Sequence, residues 1–473
     1  MTDLHELSAL ECAAAVRARE VSPVELVGHA LARTEELDEL GAFVHVTPHR
    51  ALEEARAAEA LVGSTSDPRE LPPLLGVPTA IKDLNQVAGV PTAFGSATMA
   101  GFVAPYDDTV VRLLREAGAI SIGKTATPEF GLACYTETEI GPPARNPWDR
   151  DRTPGGSSGG AGAAVAAGIV PVAQGSDGAG SIRIPASCCG LVGLKTSRGR
   201  VSRSPFDPDI TRLSVLGPLA HTVRDAAAFL DAVAGPQLGD PDPLPRLPAG
   251  ETFLGWCDRD VGRLRIGRFI DAPMSVGVEP EVFEAWEQAS ALLVSLGHEV
   301  VDIPPPLPPE AVAPFETVWS VSSATMPIEP SLEHALTPLA KYLRARGRAA
   351  SGVEFADAMS QVKLMSRDAI LATAQFDALV SPTLAQLPKP IGFFNGVTDA
   401  ADDFERQKAF TPFTSIFNAT GQPAISLPLY QSRDGLPIGI MLAGRPAGEA
   451  LLLALAAQIE AALPWRDRRP PVW

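Results

Sequence analysis

Residues Thr153 to Gly168 read TPGGSSGGAGAAVAAG, and four kinds of chemistry fit so many glycines and serines in a row. A flexible Gly/Ser linker would be flanked by polar sequence, but here a helix-like and then a strand-like apolar run follows at once. A phosphate cradle would use the amides at the start of the following helix, but it also needs a lysine after the last glycine, and none is present. A nucleophile elbow is matched by Gly156-Ser157-Ser158-Gly159-Gly160 with Ser158 at its apex. It requires an acid and a histidine downstream. His221, His298 and His334 are available, but each has an ordinary setting, and His298 falls in a helix-to-strand turn. The loop-like RNPWDRDRTP also stands where an elbow needs a strand. The fourth reading makes the stretch one part of a larger catalytic assembly.

The elements that would position such an assembly alternate. A helix is expected after Ser22-Pro23, with Leu26, His29, Ala30 and Arg33 at helical spacing, and a second over Arg50–Val62, so that the first sixty residues look helical. LLGVPTAIKDL (Leu74–Leu84) reads as a buried strand carrying one lysine, Lys82. A helix over 107–117 and a strand over Ala119–Lys124 follow. Further along come AGAAVAAG, IVPVAQG, RLRIGRF, FEAWEQASALLVSLG and HEVVDI, helix-like and strand-like in turn. Short apolar strands between helices predict an α/β fold with a largely internal sheet. The proline-rich stretches Pro236–Gly250 and Ile303–Pro314 read as surface connections. Residues 325–360 read as helical, either capping a cleft or packing outside the sheet.

The chain has 473 residues, 45% of them apolar, enough for a sizeable core. Its formal charge of −17 and pI of about 4.9 repel phosphate backbones, so nucleic acid is not an expected partner. The N-terminal MTDLHELSALECAAAVRARE carries acids early and reads as a helix, not a signal peptide. Apolar runs such as Leu451–Ala457 are too short to span a bilayer, so no membrane partner is expected. Cys12, Cys134, Cys188, Cys189 and Cys257 are odd in number and irregularly spaced. They read as free thiols in a reducing cytoplasm.

Three segments together decide among the readings. GVPTAIKDLNQVAGVPTAFGS (Gly76–Ser96), RNPWDRDRTPGGSSGG (Arg145–Gly160) and QGSDGAGSIRIPASCCGLVGLKTSRGRVS (Gln174–Ser202) resemble the amidase signature family. The resemblance continues through FNATGQPAISLP, GLPIGIMLAGRP and the closing LPW, covers most of the chain, and is loose from about 245 to 400. It implies an α/β fold with a mixed central β-sheet covered by helices on both faces. It also implies a single domain over 1–473: N-terminal helices to 70, catalytic motifs over 71–235, a variable cap or cleft-lining region over 236–400, and a return to the sheet over 401–473. Residue by residue, it places the nucleophile on Ser181, a bridging serine with a cis peptide on Ser157, and the base on Lys82. The oxyanion hole falls on Gly178, Ala179, Gly180 and Ser181. Ser158, Ser176, Asp177 and Arg183 are supporting residues, the last two as a salt bridge. Gly131, Leu132 and Ala133 border the substrate cleft. Ala179 stands where the family more often has glycine, and this resembles the branch that includes hydrolases of 6-aminohexanoate cyclic dimers.

The chemistry of these residue types is coherent. A serine hydroxyl is a weak nucleophile until a base takes its proton, and a lysine serves as that base only when burial lowers its ordinary value of about 10.4. An apolar strand such as PTAIKDL supplies that burial. Otherwise Lys82 would snorkel to solvent or pair with Asp83. The expected activity is hydrolysis of amide C–N bonds through an acyl-enzyme, with esters and carbamates (urethanes) open to the same apparatus. No metal or organic cofactor is required, and a homodimer is the family-level expectation. The alternatives are an inactive binding protein on the same fold and a glutamine-hydrolysing amidotransferase subunit. Phe315, Trp319 and Phe393-Phe394 read as core aromatics more readily than as pocket lining.

Overall fold

The computed structural model describes residues 3–207 and 209–473. Its centre is an eleven-stranded mixed sheet. In chain order the strands are β1 (Phe43–Val46), β2 (Pro78–Lys82), β3 (Ile120–Thr125), β4 (Val172–Asp177), β5 (Val192–Lys195), β6 (Val215–Ala220), β7 (Arg265–Arg268), β8 (Glu299–Asp302), β9 (Ala378–Pro382), β10 (Ala424–Gln431) and β11 (Pro437–Gly444). Their spatial order is β1-β3-β2-β4-β6-β5-β10-β11-β9-β7-β8. Helices flank this sheet.

The connections explain the mixture of directions. Helix Thr109–Glu116 returns the chain from β2 to a parallel β3, and helix Pro280–Ser295 carries β7 to a parallel β8. Such crossovers are how parallel neighbours are joined. β10 and β11 instead form an antiparallel hairpin, closed by a turn in which Gly435 takes φ +82°. The central strands are fully buried, as two-sided cover requires.

Most expected elements appear with ends shifted by a few residues. Ser22 caps helix Pro23–Glu36 through a capping box with Glu25, and the lysine-bearing run becomes β2 with Lys82 as its last residue. Pro236–Gly250 carries no helix or strand. Two expectations need correction. The first sixty residues are not all helical, because FVHV between Gly41 and Pro48 forms β1 and adds an antiparallel edge to β3. The Ile303–Pro314 connection ends inside a helix, Val312–Ala324, since proline is tolerated in a first turn. Within 325–360 lie a 3₁₀ turn (Pro330–Ala335), helix Pro338–Ala349 and the start of helix Gly352–Thr373. Thr337 and Ser351 cap the two helices.

Candidate active site

Three segments from the sheet and its loops converge. β2 delivers Lys82 at its C-terminal end, β4 delivers Ser176 and Asp177, and the loop before helix Gly159–Ala166 delivers Ser157 and Ser158. That helix is Gly/Ala-rich and buried along its whole length, so it sits close against β2, β3 and β4. A Cβ on Gly160 would lie 2.4 Å from the amide nitrogen of Ala126.

Lys82 is 0% exposed. Its Nζ lies 2.6 Å from Ser157 Oγ and 3.0 Å from Ser176 Oγ, both within hydrogen-bond distance. Asp83 does not neutralise it. That carboxylate is paired with Lys124 Nζ at 2.9 Å and accepts the Ala93 N–H. Burial therefore pushes Lys82 well below the ordinary lysine value, and the Asp177 charge opposes this only in part. Ser157 follows a cis peptide from Gly156. Gly156 has no room for a side chain, since a Cβ there would lie 2.5 Å from Tyr135 O.

Ser181 lies in the turn between β4 and helix Arg183–Cys189. Asp177 organises this turn. Its carboxylate accepts the N–H of Gly180 (2.8 Å) and Ile182 (3.2 Å), two guanidinium N–H groups of Arg183 (both 2.9 Å) and Asn418 Nδ2 (2.9 Å). Both members of the ion pair are fully buried. Burial alone would raise the Asp177 carboxyl, but Arg183 holds it well below the usual carboxylate range. Arg183 also donates to Thr414 O and Asn418 Oδ1, tying the turn to the helix Ser415–Thr420 region. Gly180 takes φ +131°, and a Cβ on it would come within 2.4 Å of Thr414 Oγ1.

The Gly180 N–H, expected among the oxyanion donors, is thus committed to Asp177. The N–H groups of Gly178, Ala179 and Ser181 have no hydrogen-bond partner among the described residues. Ser181 Oγ is likewise free of partners there, and Ser181 and Ala179 line an open pocket. Ser158 is tied to the backbone instead: its Oγ donates to Ser176 O, and its N–H donates to Ser181 O at 3.1 Å. Among the described residues, no histidine is hydrogen-bonded to a serine of the cluster. His221 bonds Val165 O, His298 bonds Leu264 N–H and Gln458, and His334 bonds Ser331 O, so the elbow reading of Ser158 lacks its base.

The pocket encloses about 980 Å³ counted to its open mouth. Gly131, Leu132 and Ala133 form one wall. Gly131 takes φ +70°, and a Cβ on it would lie 3.1 Å from Ser157 Oγ and 2.7 Å from Leu84 Cδ1. The facing walls are apolar side chains from helices Val312–Ala324 and Gly352–Thr373, among them Phe315, Trp319, Val362 and Met365. Phe315 and Trp319, read as core from sequence, therefore face the cleft, stacked at 6.3 Å. Phe394 is core, stacked on Tyr135 at 5.2 Å, and neither it nor Phe393 lines the pocket. Sequence reasoning missed the helix Ala400–Phe410 altogether. Phe404, Gln407 and Lys408 on it and Thr411 just beyond reach the pocket, a spacing of three, four and seven that marks one helical face. Gln407 also accepts the Cys134 N–H, and Asp403 accepts from Tyr135 Oη, which fixes the cleft loop to this helix.

The family model described as Amidase matches residues 25–453. The chain belongs to the amidase family. Among relatives of this amidase, a putative amidase AmiB2 of Mycobacterium tuberculosis is 41% identical over 454 residues, covering 93% of each chain. The 6-aminohexanoate-cyclic-dimer hydrolase of Paenarthrobacter ureafaciens is 35% identical over 485 residues, covering 96% of this chain and 94% of its own. A solved 6-aminohexanoate cyclic dimer hydrolase superposes with a TM-score of 0.90 at 33% identity, over 100% of both chains. A glutamyl-tRNA(Gln) amidotransferase chain from Thermotoga maritima superposes with a TM-score of 0.81 at 29% identity, over 100% of this chain and 99% of that one. The family and fold expected from the motifs are thus the ones observed. No helix among the described residues is long and apolar enough to cross a membrane.

Proposed function

We propose that this amidase hydrolyses neutral, largely apolar amides through an acyl-enzyme on Ser181, with Ser157 and Lys82 relaying the proton. The observation that carries the reading is the 2.6 Å contact from a fully buried Lys82 Nζ to Ser157 Oγ, with no carboxylate among the described residues bonded to the amine. As substrate enters, Ser181 Oγ turns its proton onto Ser157 Oγ, and Ser157 passes its own proton to neutral Lys82. Ser181 Oγ then bonds the acyl carbon. Amides of Gly178, Ala179 and Ser181 receive the oxyanion, since their N–H groups are otherwise unused. The proton returns by the same route to the leaving nitrogen as the C–N bond breaks. Water then adds to the acyl carbon by the reverse sequence and frees Ser181 as the carboxylic acid departs. Ser158 and the Asp177–Arg183 pair hold the turn that presents Ser181.

The apolar walls favour uncharged acyl and amine groups, and they support oligoamides like the substrate named for the cyclic-dimer hydrolase. Carbamates and esters present the same carbonyl to the same groups. A free amino acid such as glutamine would bring two charges against Phe315, Trp319 and Met365, which weighs against the amidotransferase reading. An inactive scaffold would have no reason to keep a buried lysine on a serine. The test is hydrolysis of a chromogenic acyl anilide and its matching ester by wild type and by Ser181→Ala. Cleavage lost in the variant is expected. Cleavage that survives it removes Ser181 as nucleophile.

A further inference from the structure

Among the described residues that line the pocket, only Glu316 and Lys408 carry charge. They face each other from different helices, Val312–Ala324 and Ala400–Phe410, with Lys408 Nζ 2.5 Å from Glu316 Oε1. Both side chains are mostly shielded, at 14% and 18% exposure. Each has a second partner outside the lining. Arg346 Nη2 donates to Glu316 at 3.0 Å, and Lys408 Nζ donates to Glu405 at 2.6 Å. Two carboxylates and two cations thus sum to zero. Phe404, another lining residue, lies beneath both cations, its ring centroid 5.4 Å from Lys408 Nζ and 6.0 Å from the Arg346 guanidinium.

We propose that the Glu316–Lys408 pair sets the charge selectivity of the pocket, admitting amides whose far end is neutral and rejecting those that end in a lone ammonium or carboxylate. This rests on the amide-hydrolysis reading above. An ammonium entering the pocket is drawn to Glu316 but meets Lys408 beside it, and a carboxylate meets the mirror image. Either charge gives up its hydration between apolar walls and gains no net partner. A neutral chain loses nothing by the same move. The selectivity therefore resides in the balance of the pair, and removing one member should turn the pocket toward one sign of charge. Without Lys408, Glu316 faces the pocket with only Arg346 behind it. Without Glu316, Lys408 and Arg346 face it with only Glu405.

The experiment compares three anilides with acyl chains of equal length ending in methyl, ammonium or carboxylate. Wild type, Lys408→Met and Glu316→Gln are assayed for kcat/KM on each, and the methyl-ended anilide is the reference within every protein. Wild type should favour the methyl end. Lys408→Met should raise the ammonium-to-methyl ratio about tenfold, the effect of about 1.4 kcal/mol, and Glu316→Gln should raise the carboxylate-to-methyl ratio similarly. A pair that only ties helices together would lower all three substrates alike, and that result overturns the proposal. So does a wild type that accepts either charged anilide as readily as the neutral one. Lys408→Gln serves if the methionine variant folds poorly. The same three anilides are titrated calorimetrically into Ser181→Ala and into Ser181→Ala combined with each substitution. If nothing is turned over but the affinity ratios move in opposite directions, the hydrolysis reading fails and the selectivity stands. Unmoved ratios, or no binding at all, remove the selectivity.

Discussion

Replacing Lys82 by methionine should slow turnover severely and at the same time stabilise the fold near neutral pH. The side chain is 0% exposed, and its amine bonds to serine oxygens with no anion among its partners. Burial lowers it well below its ordinary 10.5, so the native chain carries it neutral where the unfolded chain carries it charged. At any pH between the lowered native value and 10.5, unfolding takes up one proton at this residue. The unfolded state binds more protons, so Lys82 makes stability rise with pH across that window, by about 1.4 kcal/mol per unit. Below the window its contribution is a constant penalty. Methionine takes up no proton. The stability advantage of Lys82→Met over wild type should therefore shrink by about 1.4 kcal/mol for each unit of rising pH. Lys124 and Lys195 are also buried and also lowered, but both proteins contain them and they cancel in the difference. Urea unfolding followed by circular dichroism, at about pH 8 and again one unit higher, measures the difference directly. A difference that does not move with pH would mean that native Lys82 keeps its proton, and the base assignment would fall with it. The same neutral amine predicts activity that rises from acid to a plateau, and a variant slower by about 10²–10⁴-fold or more.

Gly131→Ala forces a methyl group into a φ of +70°, within 3.1 Å of Ser157 Oγ, and should lower kcat about tenfold or more with little change in unfolding midpoint beyond about 1–2 kcal/mol. An unchanged kcat would show that this wall does not bear on Ser157. Asp177→Asn leaves the buried Arg183 guanidinium without its anion and should cost about 3–5 kcal/mol in chemical denaturation, and Asp177→Asn combined with Arg183→Met should recover part of that loss. A double variant no better than the single one would refute the pairing argument. Asp225 is 1% exposed, and burial raises its carboxyl to about 6. The native state then binds more protons than the unfolded one between about pH 4 and pH 6, so stability falls as pH rises through that window. Asp225→Asn should flatten this dependence and stabilise the protein at neutral pH by up to about 3 kcal/mol, read from melting curves at the two ends of the window.

The fold around the serine and lysine motifs was legible in the sequence because those motifs are local and ordered. Lys82 ends a short apolar run, Ser157 and Ser158 sit among glycines that close packing demands, and Ser181 follows a strand whose last residue, Asp177, caps the turn. The cleft was not legible. Phe315 and Trp319 carry the same periodicity whether a helix faces a core or a cavity, and what makes them lining is a partner surface as far as 188 residues away, at Gly131. Trp319 comes within 3.3 Å of where a Cβ on Gly178 would be, a contact with no signature in either segment. β1 was hidden for a simpler reason: four residues are too few to interrupt a helical pattern on either side. The commitment of the Gly180 amide depends on a carboxylate orientation that residue types alone do not encode.

The place of the C-terminal hairpin in the sheet bears on how late in synthesis this fold can close. β10 pairs with β5 and β11 with β9, and Arg183 is anchored by Thr414 and Asn418, partners 231 and 235 residues further along the chain. Lys82, Ser157 and Ser181 all leave the ribosome long before those partners exist. Until residues 414–444 emerge, one edge of β5 stays open and the turn that carries Ser181 lacks its outer brace. Contacts so distant in sequence form slowly, and an uncovered strand edge invites pairing with other chains. The interval before the hairpin emerges is thus when the nascent chain most needs protection from its neighbours.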